Sequence, residues 1–333
     1  GWGASGRNGG QVTSSLSGDE AMRKQMHKSL GTEVDNFIWR LRWRGQEIIE
    51  ARVARYGIDC DLKHGHLHAA MKPAHMDELR SFHDEAQRRG LGDSVTLLDR
   101  SGVRTHLASD QYLGALKNTR NLHLHPLNLC IGEARAGESL GALIFENSEV
   151  LEIIHGDTPG VRTAHGRIDA SQVLLAGDVY HKLEPGKLKG KIFPAMGGIV
   201  TTAPLGDLAK QINPQDLAVY DCRFVLDYYR LTADGRLLFG GGANYSGKDS
   251  RDIAAELRPC IEQTFPALKG VAIDYQWSCA MGIVINRIPQ LGKLSDNVWY
   301  CQGYSGHGIA TTHIMGEIMS RAITGQMEQF DTF

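Results

Sequence analysis

Two glycine-rich stretches have the composition to hold an anion or a carbonyl oxygen against the main chain. Residues 3–10 read GASGRNGG and residues 303–308 read GYSGHG. Each puts small residues where a backbone must come close to something. The second lies between a strand-like run at 298–301 and a helical pattern from about Gly308 to Thr324, so its amides and the helix start would face the ligand. Neither stretch has the GxGxxG spacing of a dinucleotide turn, and glycines also serve plain tight turns. Histidines form the other candidate groups: His64, His66 and His68 in HGHLH, and His123 and His125 in HLH, on one face of a strand. No second ligand set is fixed by spacing, so no metal is expected and hydrogen-bonded strand histidines are the reading. The six cysteines (Cys60, Cys130, Cys222, Cys260, Cys279, Cys301) form no CxxC pair. That usage fits a reducing compartment better than a disulfide framework.

The elements that must position these residues alternate between helical and strand periods. Phe37, Ile38, Leu41, Ile48, Ile49 and Val53 recur at three- and four-residue steps within a helical stretch from 19 to 56, with Gly57 as its cap. Residues 58–71 alternate as a strand, and 74–89 read as an amphipathic helix stopped by Gly90. The span 141–178 reads as a β-meander ending in the buried strand VLLAG, and 224–242 as a hairpin turning at Asp234-Gly235. Residues 250–268 are mostly helical. A mixed α/β (α+β) architecture of two domains follows, since helices and sheets interleave without a strict βαβ rhythm. Lys+Arg 36 against Asp+Glu 38 gives a net charge of -2, so nothing in the charge balance points to a nucleic-acid or anionic-membrane partner and none is expected. No run approaches the roughly 18 apolar residues of a membrane span, and no signal pattern opens the chain, so a cytoplasmic protein is expected.

In order along the chain, GASGRNGGQ, YGIDCD, HPLNLCIGEA, LDYYRLTADGRLLFGGG, FPALKGVAIDYQW and YCQGYSGHG resemble the amine- and amino-acid-oxidising FAD enzymes of the D-amino-acid oxidase type. The likeness runs from the first residue to the last. It implies a Rossmann-like FAD-binding layer (1–59, 116–189 and 280–333) and an antiparallel-sheet substrate domain (60–115 and 190–279). Family members open with a strand, a GxGxxG turn and a helix that hold the ADP half of FAD, a unit of about 30 residues. The likeness therefore implies that this sequence starts just beyond that unit, without its acidic ribose ligand. A non-catalytic remnant lacking FAD stays an alternative.

The resemblance implies cofactor contacts from Ser5, Gly6, Arg7, Asn8, Gly9, Gly10 and Gln11, with Arg7 offsetting phosphate charge. It adds Val150 near adenine, Ala176 and Gly177 at the diphosphate, and Gly303, Tyr304, Ser305, Gly306, His307 and Gly308 at the flavin ring. Trp277, Tyr304 and His307 fall beside the reacting centre. The implied reaction is oxidative deamination of a small-molecule amine, most of all a gamma-glutamyl polyamine such as gamma-glutamylputrescine, with a sarcosine- or glycine-type amino acid as the alternative. Oxygen or another acceptor takes the electrons. For the substrate, Asp227, Tyr228, Tyr229, Tyr245 and Trp277 are candidates by type, and Arg223 or Arg230 for its carboxylate. Ordinary packing is the competing reading for each. Two positions depart from sarcosine oxidases: Leu238 stands where these carry an oxygen-activating lysine, and Cys279 falls where they carry a flavin-linking cysteine. A buried thiol is the plainer reading of Cys279.

Overall fold

The computed structural model describes residues 3–333, which divide into two compact units. The first comprises the chain up to Val12 with Asp59–Leu129 and Met196–Cys279; the second comprises Thr13–Ile58, Cys130–Ala195 and Ala280–Phe333. The segments 1–12 and 116–129, expected with the FAD-binding layer, pack in the first unit. The reason is strand pairing: Gln11–Val12 runs antiparallel to Gly114–His123, with Gln11 opposite His123.

Nine described strands make the sheet of the first unit, in the order Gln11–Val12, Gly114–His123, Lys63–Ala70, Ala218–Asp221, Tyr228–Leu231, Leu237–Asn244, Phe193–Thr202 and Ile273–Ile283, with Val95–Asp99 also on Gly114–His123. Alternation along each strand splits its two faces. One lateral row, Leu67, Val219, Tyr229, Phe239 and Val200, is in register across five strands. All five join the apolar core with Leu257 and Ile261 of the helix Ile253–Thr264 and with Phe265. The adjoining row, His68, Tyr220, Tyr228, Gly240 and Ile199, lies on the other face. The expected hairpin is present as Tyr228–Leu231 and Leu237–Asn244.

The second unit packs the helices Asp19–Leu30, Val34–Tyr56 and Gly308–Ile323 around Met22, Met26, Ile38, Leu41, Ile314 and Ile318, with Trp299 from a small sheet. The helical stretch at 19–56 is two helices, broken by a short 3-10 turn at Gly31–Glu33, and Gly57 caps the second in the left-handed conformation. Arg44 donates two hydrogen bonds to Glu317, at 2.9 and 2.7 Å, tying the second and last of these helices. The small sheet orders Gln290–Ser295, Val298–Gln302 and Val173–Leu175, the last pair parallel. A meander follows the expected chain order, but only from Glu152–Ile154 through Gly160–Arg162 to Arg167–Asp169. Residues 141–151 form no strand: Leu143 is 81% and Phe145 62% exposed, so the apolar run has no described partner strand. The strand Gly114–His123 and the helix Pro126–Ser139 carry little period of their own in the sequence.

His66 and His123 are fully buried in the first unit, with ring centroids 6.1 Å apart. Burial lowers the pKa of His66 to about 4 and that of His123 to about 2, the second also through repulsion by His66 once that is protonated and by Arg230 and Lys63. The unfolded chain takes up both protons near pH 6.5 or about there, whereas the folded chain stays neutral to much lower pH. Stability is therefore full above about pH 6.5 and falls as the pH drops toward 4, by up to about 1.4 kcal/mol per pH unit for each histidine. Urea unfolding from pH 7.5 to 4.5 measures that slope. His66→Gln, which keeps a donor for the Leu122 carbonyl, flattens it; an unchanged slope shows that other groups set the acid limit.

Candidate active site

In the second unit, the parallel strands Val173–Leu175 and Val298–Gln302 end side by side, with Leu175 opposite Tyr300. The chain leaves the first through Ala176, Gly177 and Asp178, and the second through Gly303–Gly308. Such carboxyl ends of parallel strands are where ligands settle in α/β sheets. Ala176 and Gly177 are exposed. Gly303 adopts φ +80 and Ser305 φ +49, and Ser305 is buried. Its N–H donates to the Gly282 carbonyl at 2.9 Å, and its Oγ accepts from the Val284 N–H at 3.2 Å. The rest of the loop is not crowded: a Cβ on Gly306 or Gly308 would make only ordinary van der Waals contact, at 3.7 Å, with Met281 Sδ and Tyr304 Cβ respectively. No side chain caps the helix Gly308–Ile323. Its first amides thus keep the positive end of the helix dipole available. Burial lowers the His307 pKa, with Asp19 opposing and Arg287 assisting, so the ring is held neutral. The Tyr304 hydroxyl lies 3.4 Å from the Cys301 sulfur, and burial holds it protonated. Val150 packs its side chain on the cluster of Ile153, Val173 and Leu175.

The N-terminal segment belongs to the first unit and is shaped by protein contacts. Ala4–Arg7 is one helical turn. Asn8 closes it, donating to the carbonyls of Ala4 and Ser5, both at 2.9 Å, while its Oδ1 accepts the Gly10 N–H at 2.8 Å. Arg230, 2% exposed, donates Nε to the Gly9 carbonyl at 2.8 Å. Gly10 has φ +77, and a Cβ there would lie 2.0 Å from the Leu124 carbonyl oxygen. The Gln11 amide donates to the carbonyls of Val219 and Tyr229, at 3.0 and 3.1 Å. Trp277 donates its indole N–H to the Arg7 carbonyl at 2.8 Å, and the Cys279 thiol points to the same oxygen at 3.7 Å. The glycines at 9 and 10 are thus required by internal packing, whatever else they meet.

The substrate candidates separate. Tyr228 lies against Gly9 on one face of the sheet. Tyr229 turns to the other, where its hydroxyl meets that of Tyr112 at 3.0 Å and its ring stacks on Phe239; it is a core residue. Arg223 is held by the buried Asp221 and Asp227, two carboxylates on one guanidinium, so Arg223 presents no uncompensated cation. Arg230 is likewise turned inward on backbone. Its pKa is lowered to about 10 by burial, with Asp61 and Asp216 opposing. Tyr245 stands in a loop, 48% exposed. Sequence reasoning missed Asp178, whose carboxylate binds two backbone amides of this unit; an aspartate directly after VLLAG was its only signal. Among the described residues no group of three His, Cys, Asp or Glu side chains could hold a metal, and His64 is set off from His66 by a bulge.

Adjacent strand ends and an uncapped helix start suit an extended, anionic cofactor such as FAD. Residues 1–322 match the family model described as FAD dependent oxidoreductase. The chain belongs to this family and is an FAD-dependent oxidoreductase. It is 41% identical over its whole length to the gamma-glutamylputrescine oxidoreductase of Escherichia coli K12, covering 78% of that protein. It is 34% identical, again over its whole length, to the probable oxidoreductase OrdL of Haemophilus influenzae, covering 77% of it. In structure it is similar to glycine oxidase from Geobacillus kaustophilus (TM-score 0.78, 18% identity, 97% of this chain and 85% of that one). L-proline dehydrogenase from P. horikoshii gives a TM-score of 0.75 at 20% identity, over 86% and 79% of the two chains. These two likenesses confirm the expected mixed α/β flavoenzyme fold.

Arg230→Met strands the Gly9 carbonyl and costs about 2 kcal/mol, the range of a hydrogen bond to a charged group. Urea unfolding of the two proteins tests this. A loss below about 0.5 kcal/mol would show that the carbonyl finds another donor.

Proposed function

We propose that the chain oxidises the carbon–nitrogen bond of an amine, and that the amine is a gamma-glutamyl polyamine such as gamma-glutamylputrescine. The observation that carries this reading is identity of 41%, along the whole chain, to a protein named for that substrate. When bound, FAD would supply the hydride acceptor for the carbon next to the nitrogen, leaving an imine open to hydrolysis by water.

The protein's own residues bind, orient and exclude water. In the second unit Ala176, Gly177 and the Val150 backbone fit the nucleotide half of the cofactor. The amides of Gly303–Gly308 suit the edge of the flavin ring that gains negative charge on reduction. In the first unit Ser5, Gly6 and Arg7 fit the phosphates, while Tyr228 and Trp277 offer aromatic faces to an alkyl-ammonium chain. Asn8, Gly9, Gly10 and Gln11 act by shaping that segment. A neutral amine is the reactive form, and a dry aromatic wall favours it by penalising the ammonium. With Leu238 buried where a lysine would serve oxygen, the reading admits an acceptor other than oxygen. The Cys279 thiol is engaged with the Arg7 carbonyl, and burial raises its pKa, which supports a flavin held without a covalent bond. Six free cysteines fit a cytoplasmic setting.

Anaerobic titration of the flavin-loaded chain tests the substrate. Gamma-glutamylputrescine bleaches the flavin at least about tenfold faster than sarcosine or glycine, the discrimination expected of several lost contacts. Equal or faster reduction by sarcosine or glycine overturns the polyamine assignment. Acid precipitation of the same protein leaves the flavin in the supernatant; a flavin mass retained on the chain would assign Cys279 a covalent role.

A further inference from the structure

One carboxylate of the second unit gathers three chain segments. Asp178 follows the strand Val173–Leu175 at φ +49, a left-handed conformation that aspartate tolerates better than most side chains. Its Oδ1 accepts the Gly303 N–H at 2.8 Å, and its Oδ2 accepts the Gly282 N–H at 2.9 Å. Gly282 leaves it room, since a Cβ there would lie 2.2 Å from Oδ1. Further bonds close the same junction. Ser305 donates to the Gly282 carbonyl, Val284 donates to Ser305 Oγ, and the Tyr180 hydroxyl donates to the Ala280 carbonyl at 2.8 Å. Segments 176–180, 280–284 and 303–305 are thus held at one point by charge-assisted bonds, the stronger kind.

We propose that Asp178 is the positioning residue of the glycine loop. It fixes the turn at Gly303 to the strand end at Ala176–Gly177 and so holds the amides that begin the helix Gly308–Ile323 in one orientation toward the flavin. The proposal rests on the reading above, in which this loop faces the flavin. Asp178 acts through the loop and touches no reacting atom. Both of its partners are donors, so asparagine can satisfy one with its carbonyl oxygen but turns an NH2 group on the other. Alanine satisfies neither. Asparagine is therefore a partial rescue if geometry is what matters, and no rescue if charge alone matters.

The test compares wild type, Asp178→Asn and Asp178→Ala in two readouts. The first is hydrogen exchange at the Gly282 and Gly303 amides of the flavin-free chain. Both exchange about tenfold faster in the alanine variant, as loss of a bond to a charged acceptor requires, with the asparagine variant between. The second is sulfite affinity of the flavin-loaded chain, a probe of positive potential at the ring. It falls about fivefold in the alanine variant, the size of a helix-terminus contribution, and less in the asparagine variant. Unchanged exchange overturns the clamp. Faster exchange with unchanged sulfite affinity overturns positioning and leaves a residue of fold stability only. Equal loss in both variants assigns the effect to charge and overturns the geometric claim. If the wild type binds no flavin while its two amides are protected, the reading beneath the proposal has failed and the clamp has not.

Discussion

Irregular backbone beside a ligand must have its polar groups satisfied without a sheet or helix to do it. In this protein two charged side chains meet that constraint. Arg230 donates to the Gly9 carbonyl in the first unit, and Asp178 accepts the Gly282 and Gly303 amides in the second. Each is placed by regular structure. Arg230 sits in a strand, and Asp178 opens the short 3-10 turn Asp178–Tyr180 that follows one. Each lets a glycine-rich segment hold a single shape while leaving some of its surface open. A neutral partner would do this less firmly, since bonds to ionised groups are roughly twice as strong.

The family's chemistry asks little of the protein in acid–base terms. On the reading proposed above, the cofactor would accept the hydride, and the protein's part is dry surroundings, orientation and a positive helix end. Several of its titratable groups are accordingly held neutral or paired. Burial keeps His307 uncharged and Tyr304 protonated, and Arg223 is balanced by two aspartates. The large apolar faces lie elsewhere, on the helix Ile253–Thr264 and among the three helices of the second unit, where burial stabilises without touching the chemistry.

Much of the architecture was legible because it is periodic. The helix at Val34–Tyr56, its left-handed Gly57 cap, and the hairpin turning at Asp234-Gly235 follow from spacing and turn chemistry. The meander was legible in order but misplaced at its start. Leu143, Ile144 and Phe145 have the composition of a strand, and no described strand lies where they could pair. The strand Gly114–His123 was not legible, because it is buried through pairing on both sides rather than by alternation. Glycine-rich segments were visible as candidates. Whether each glycine serves a ligand or a neighbour was not, as Gly10 jammed against the Leu124 carbonyl and Gly306 in ordinary contact with Met281 illustrate.

Sequence alone determined the family and, through that resemblance, the flavin cofactor; the two glycine segments stood out because small residues betray close backbone approach. It also determined the mixed α/β class, through local period and turn residues. Tertiary structure decided what each polar side chain is for. Tyr228 and Tyr229 are adjacent and chemically identical, yet one faces Gly9 and the other Phe239, since strand alternation points them to opposite faces. Asp178 and Gly303 are 125 residues apart, and the bond between them exists only because two parallel strands end together. Pairing of that range depends on strand register and on buried polar groups finding partners, and neither is written in any local stretch of the chain.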